Sequence, residues 1–106
     1  MRIGLFGGTF DPVHNGHLLV AVTAQEQFSL DKVLFIPAWV SPHKQSQGPA
    51  ATATDRCEML KLALAGHKGF ELCIAEIERG GVSYTADTLR QLRSRYAPDT
   101  FFLLLG

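Results

Sequence analysis

Short apolar runs alternate along this chain with stretches whose apolar residues recur at helical spacing. Arg2 to Phe6 reads as a first strand. Leu18 to Phe28 brings Leu18, Ala21, Val22 and Phe28 near one helical face, and the helix is expected to start near Asn15. Val33 to Ile36 is a continuous apolar run closed by Pro37, which suits a buried parallel strand. Residues 38 to 53 hold Pro42, Gly48 and Pro49 and predict a long loop, of the kind that is functional or mobile. A second helix is expected from Thr54, with Asp55 in its first turn, Met59, Leu60, Ala63 and Leu64 as its apolar positions, and Gly66 as its stop. Phe70 to Ile74 is the next strand. Gly80-Gly81 marks a turn. Thr85 is the expected cap of a third helix with Asp87 early, Arg93 and Arg95 late, Leu89, Leu92 and Tyr96 as its buried stripe, and Pro98 at its end. Thr100 to Leu105 is the most apolar stretch and predicts a central or well-covered strand.

Strand and helix in alternation predict an α/β fold: an open parallel sheet with helices on both faces. In such sheets ligands bind beyond the carboxyl ends of the strands, where the strand order reverses. The segment Gly7 to His17 follows the first strand and is therefore the first place to look for chemistry.

At 106 residues, the chain is expected to form one domain at most. With 46% hydrophobic and 19% charged residues it can bury a core. Ten basic residues balance ten acidic ones, so no basic surface points to nucleic acid or membrane, and a phosphate ligand would have to be held locally. The N-terminus does not read as a signal peptide, and no apolar run has the length of a membrane span. Cys57 and Cys73 have no metal-ligand spacing and read as reduced thiols, which together predict a cytoplasmic protein.

Gly7, Gly8, Thr9, Phe10, Asp11 and Pro12 lead into Val13-His14-Asn15-Gly16-His17. Two glycines permit a tight turn and a close approach of backbone to ligand. Thr9 offers a hydroxyl and an N–H. A helix starting near Asn15 would aim its free N–H groups and positive dipole end at the loop. His14 and His17 are spaced i,i+3, so they are expected on one helix face, donating to anionic oxygens and most strongly when protonated. Gly16 is expected to leave room for a bulky ligand. The pattern is neither GxxxxGK[ST] nor GxGxxG. Read alone, two histidines at a helix start fit a plain strand–turn–helix; the preceding Gly-Gly-Thr-Phe-Asp-Pro favours the anion site.

The stretch Gly7 to His17 resembles the signature of the HxGH nucleotidylyltransferase superfamily, and within it the bacterial nicotinate-mononucleotide adenylyltransferases. The resemblance implies a Rossmann-like, HUP-type sheet. It also implies adenylyl transfer from ATP to nicotinate mononucleotide in NAD biosynthesis, giving deamido-NAD and pyrophosphate. ATP would be bound by Gly7, Gly8, Thr9, Phe10, His14, Gly16 and His17. Mg²⁺ would arrive on the ATP phosphates, with no dedicated metal site in the protein.

Pro37-Ala38-Trp39-Val40-Ser41-Pro42-His43-Lys44 follows the second strand. Taken alone it reads as a solvated connection; the resemblance gives Lys44 a role on the phosphates, with Ser41 where the family commonly has proline. His43 assists or caps the loop, and Trp39 stacks on a base or nicotinate ring or packs on the core. Ser83-Tyr84-Thr85 is in itself only a helix start, but it is similar to the family's nicotinate-recognition segment. Asp87 reads as a dipole-favoured helix residue, Arg56 as a solvated helix arginine in preference to a pocket residue, and Arg90, Arg93 and Arg95 as a solvated face.

The resemblance implies catalysis by His14, His17 and Lys44, and acceptor binding by Lys44, Trp39, Ser83, Tyr84 and Thr85. The superfamily continues with a Gly-x-Asp segment and a Ser-x-x-x-x-Arg helix start, neither of which precedes Gly106. The 106 residues are therefore expected to be the N-terminal part of one domain, with its C-terminal part missing. An exposed C-terminal strand or edge would then favour a homodimer. The alternatives are a non-catalytic nucleotide-binding module, or an adenylyltransferase for another phosphomonoester.

Overall fold

Strand and helix alternate as the apolar pattern requires. The computed structural model describes residues 1–39, 52–80, 85–96 and 100–104. The elements are β1 (Arg2–Gly8), α1 (Asn15–Gln27), β2 (Lys32–Pro37), α2 (Ala53–Leu64), β3 (Phe70–Leu72), α3 (Ala75–Arg79), α4 (Thr85–Tyr96) and β4 (Thr100–Leu104). The sheet runs β3-β2-β1-β4 and every pairing is parallel. Strand order therefore reverses beside β1, between β1 and β4, and the loop after β1 emerges there.

Both sheet faces are covered, because side chains alternate along a strand. Phe6, Val33, Phe35, Phe70 and Leu104 face a core shared with Ala21 and Ala24 of α1 and Leu60 and Leu64 of α2. Ile3, Leu5, Leu34 and Ile36 face a second core with Ala75 of α3 and Leu92 of α4. No helix among the described residues is long and apolar enough to cross a membrane. Cys57 and Cys73 are free thiols, and burial raises the pKa of each.

Four expectations are corrected. Phe28 leaves the α1 stripe: it caps the helix from outside, 46% exposed, and its ring stacks on Phe102. The strand expected to reach Ile74 stops at Leu72. The Cys73 N–H makes a last bond to the Phe35 carbonyl, and the short helix α3 follows. The stripe of α4 holds buried Thr88 beside Leu92, with Leu89 only partly buried; the Tyr96 side chain lies outside the described residues. Finally, β4 is an edge of the described sheet, with Leu103 52% exposed. The reason is topological: β2 and β3 step outward on one side of β1, and α3 and α4 return the chain to the other.

Candidate functional site: a histidine-capped helix start beyond β1

The site is built from the end of β1, its exit loop and the first turn of α1. Gly7 and Gly8 are the last strand residues, paired with Ile36 and Pro37. Neither is in the left-handed region, so they do not make the turn, contrary to the expectation from sequence. Phe10 makes it, at φ 49°. Its buried ring holds it there, edge-on to Phe6 at 5.5 Å and to His17 at 4.9 Å between centroids. The glycines contribute bareness: a Cβ on Gly7 would meet only the Ile36 carbonyl, at 4.0 Å.

His14 does not stand on a helix face. It is the N-cap of α1, in extended conformation, and His17 is the third residue of the helix. The His14 Nδ1 accepts from the Gly16 N–H at 3.1 Å, and the His17 Nδ1 accepts from the His14 N–H at 3.0 Å. This is a reciprocal capping box made with two imidazoles. An accepting Nδ1 carries no hydrogen, so each neutral ring holds its proton on Nε2, directed away from the box. The rings lie 3.9 Å apart between centroids. Burial, and then the His14 charge, lower the pKa of His17. In this geometry each ring donates through Nε2, since a proton on Nδ1 would face an N–H and break the cap. No acidic residue stands in the first turn of α1, so its positive end is left for an external anion.

Gly16 also has a different reason from the one expected. A Cβ there would stand 2.8 Å from His14 Cε1. Its bareness makes room for the histidine ring that caps the helix.

Of the remaining expected residues, Thr9 is half-buried just past β1, and Trp39 stands at the exit of β2, 42% exposed and not in the core. Thr85 is the first residue of α4. Lys44, Ser83 and Tyr84, with Ser41 and His43, lie outside the described residues. Asp87 and Arg90 form an exposed pair at 3.2 Å, and Arg93 and Arg95 are exposed, as the solvated-face reading has it.

One more expectation is corrected, since Arg56 is not a solvated helix arginine, and one feature was not anticipated. Arg56 is 1% exposed, and its guanidinium donates to the carbonyls of Thr9, Ala38 and Trp39. On the opposite face, Thr88 donates to Glu76 at 2.7 Å and accepts from Arg79 at 2.8 Å. Glu76 and Thr88 help line a cavity of about 40 Å³ beside Gly7 and Ile36. Spacing hid this second group because α3 itself was not foreseen.

Residues 5–106 match the cytidylyltransferase-like family. The chain belongs to that family. It is 49% identical over 106 residues to a probable nicotinate-nucleotide adenylyltransferase of Dictyoglomus thermophilum, covering 100% of this chain and 53% of that protein. Against the probable enzyme of Desulfatibacillum aliphaticivorans the identity is 51% over 107 residues, covering 100% and 48%. Against the nicotinate-nucleotide adenylyltransferase of Bacillus subtilis it is 47% over 105 residues, covering 99% and 55%. The chain spans about half the length of these relatives. Its fold matches a Plasmodium falciparum nicotinic acid mononucleotide adenylyltransferase complexed with NaAD, with a TM-score of 0.73 at 15% identity, covering 96% of this chain and 50% of that one. The Rossmann-like nucleotidylyltransferase fold implied by the Gly7–His17 signature is therefore the fold of this chain.

The donor set bears on Mg²⁺. The loop and helix start present N–H groups, which suit phosphate oxygens and not a hard cation. Among the described residues no group of three or more His, Cys, Asp or Glu gathers to hold a metal.

Proposed function

We propose that this protein transfers the adenylyl group of ATP to nicotinate mononucleotide, giving deamido-NAD and pyrophosphate, as a cytoplasmic step of NAD biosynthesis carried by one nucleotidylyltransferase domain. The observation that carries the reading is the imidazole capping box. It leaves an Nε2 on each ring and an unneutralised helix end beside the loop that emerges where strand order reverses, which supports a phosphate ligand there. The identity to nicotinate-nucleotide adenylyltransferases supports the choice of acceptor.

The chemistry asks little of the protein beyond placement. An oxygen of the mononucleotide phosphate, already anionic, attacks the α-phosphorus of ATP without a general base. The new P–O bond forms as the bond to the β-phosphate oxygen breaks, and pyrophosphate leaves with the electron pair. Negative charge stays on the phosphoryl oxygens throughout, so catalysis is positioning plus fixed donors. His14 and His17 donate through Nε2, the N–H groups of the exit loop and of the α1 start anchor the phosphates, and Thr9 adds its hydroxyl. Mg²⁺ arriving with ATP would offset part of the phosphate charge. Lys44 is assigned to phosphate neutralisation, and Trp39, Ser83, Tyr84 and Thr85 to the acceptor. A homodimer through the exposed edge of β4 is part of the same reading.

The test is direct. The chain is incubated with ATP, Mg²⁺ and a panel of mononucleotides, and pyrophosphate is measured. Release only with nicotinate mononucleotide is the expected result. ATP binding without turnover would favour a non-catalytic nucleotide-binding module, and release with a different phosphomonoester would move the acceptor.

A further inference from the structure

Arg56 lies in α2, well along the chain from the phosphate loop, yet it touches that loop and its neighbour at once. Its Nη1 donates to the Thr9 carbonyl at 2.9 Å and to the Ala38 carbonyl, and its Nη2 to the Trp39 carbonyl at 3.2 Å. Thr9 is the first residue past β1; Ala38 and Trp39 are the first past β2. The two strands are still joined at Gly8, whose carbonyl accepts from the Ala38 N–H at 2.8 Å. One residue further on the backbones diverge, and the guanidinium takes over the bridging.

Three physical points make this more than packing. First, a peptide unit is planar and trans, so its C=O and N–H point to opposite sides. Holding the Thr9 carbonyl toward Arg56 turns the Phe10 N–H away from it. Phe10 sits at φ 49°, a conformation that L residues leave readily unless held. Second, no salt bridge joins Arg56 to a carboxylate among the described residues, and its buried Nε has no hydrogen-bond partner there. Burying a charge on such terms is expensive, and an apolar side chain would fill the space more cheaply. Third, only a planar fork of several donors reaches three carbonyls in fixed directions.

We infer that Arg56 is a positioning residue that locks the exit of β1 to the exit of β2, fixing the phosphate donors of one loop relative to the Trp39 segment of the other. The inference rests on the proposed function for its consequence in catalysis, but the lock itself does not. Arg56 touches no reacting atom in this scheme; it acts through the Thr9–Phe10 peptide and the Trp39 backbone.

The test uses Arg56→Lys and Arg56→Met with two readouts. Trp39 is the one tryptophan of the sequence, so its fluorescence anisotropy reports on the lock without any ligand. Anisotropy should fall in both variants while far-ultraviolet circular dichroism stays that of the parent. In the pyrophosphate assay kcat should fall by about 10–100-fold, as expected for lost alignment of two substrates, with each KM within about threefold. Lys should restore no more than a small part. Folded variants with parental anisotropy would overturn the lock even if the chain turns over no substrate. Parental kcat with lowered anisotropy would overturn its catalytic role. Should neither variant fold, ¹⁵N spectra of the parent decide: slow rotation of the Arg56 guanidinium is expected, and free rotation would overturn the inference.

Discussion

Helices α1 and α2 both begin with a side-chain cap, and the two caps do opposite things. In α2, Thr52 accepts from the Asp55 N–H at 3.1 Å, and Asp55 itself stands in the first turn against the dipole. That end is finished: one donor is satisfied and the positive field is met by a carboxylate. In α1 the cap is His14, and no acid follows in the first turn. The helices α3 and α4 carry Glu76 and Glu78, and Asp87, at the same place. Among the described helices, α1 alone leaves its positive end open. The histidine box satisfies backbone N–H groups through Nδ1 and keeps a second donor on each ring for something else. A hydroxyl cap must offer its one O–H from the same atom that accepts, whereas the imidazole separates acceptor and donor on two ring nitrogens.

The sharpest way to break this contrast is His17→Ala. It removes one Nε2–H donor and half of the box. Turnover of ATP and nicotinate mononucleotide should fall by about 10²–10³-fold, the usual scale for losing one fixed donor to a developing charge. Substrate affinity should change less. Near-normal turnover in steady-state kinetics would remove His17 from the mechanism.

Next in size is Gly16→Ala. In a plain helix this change stabilises by up to about 1 kcal/mol. Here the new Cβ would stand 2.8 Å from the His14 ring, which must leave its capping position. Turnover should fall about tenfold, on the order expected when a donor is shifted by an ångström or so. A Cβ on Gly8 would meet the Phe10 ring at 3.5 Å, an ordinary contact, so Gly8→Ala should keep the stability of the parent and leave the His14 cap in place.

The third prediction is a pH effect. His17 titrates below its ordinary value, chiefly through burial and then through the His14 charge. The unfolded chain therefore binds the proton more readily than the folded one. Stability from the neutral ring is fully present above the ordinary histidine pKa, near 6.5, and is lost as pH falls from there through the folded value. Urea midpoints measured at pH 7.5 and at pH 5.5 should drop toward acid, and the drop should shrink in His17→Gln. At pH 7.5, ¹⁵N spectra should place the proton of both rings on Nε2; an Nδ1–H signal from either would contradict the box.

The order of the strands and of helices α1, α2 and α4, and the place of the candidate site, were legible because each depends on local pattern. Apolar runs, helical spacing and Gly-Gly-Thr-Phe-Asp-Pro all speak within a few residues of one another. Side-chain roles were less legible, because they depend on what the fold brings near. The i,i+3 spacing of His14 and His17 says nothing of which residue is the cap, and Gly16 looked like ligand space when it is ring space. Arg56 could have been found. Counting back four from Leu60 on the stripe that includes Leu64 lands on it, and a charge on a buried stripe asks for partners. Those partners, Thr9, Ala38 and Trp39, lie up to 47 residues away, and no spacing within α2 names them. The apolar run of β4 pointed to a covered strand, because such a run looks the same whether the sheet covers it or not; the exposed edge was expected only from the resemblance.

The smallest effect on chemistry should come from the finished cap. Thr52→Ala deletes the oxygen that accepts from Asp55 and leaves the α1 end untouched. It should lower unfolding stability by about 1 kcal/mol, read as a shift in the urea midpoint at unchanged slope. Turnover per folded molecule should remain that of the parent. The pairing with His14→Ala then makes the contrast quantitative. Loss of a cap should again cost about 1 kcal/mol, but now with a large fall in turnover. If Thr52→Ala and His14→Ala reduced turnover alike at equal stability loss, the two helix starts would differ only in residue type. If stability falls alike and turnover only at His14, the imidazole cap is doing two jobs where the hydroxyl does one.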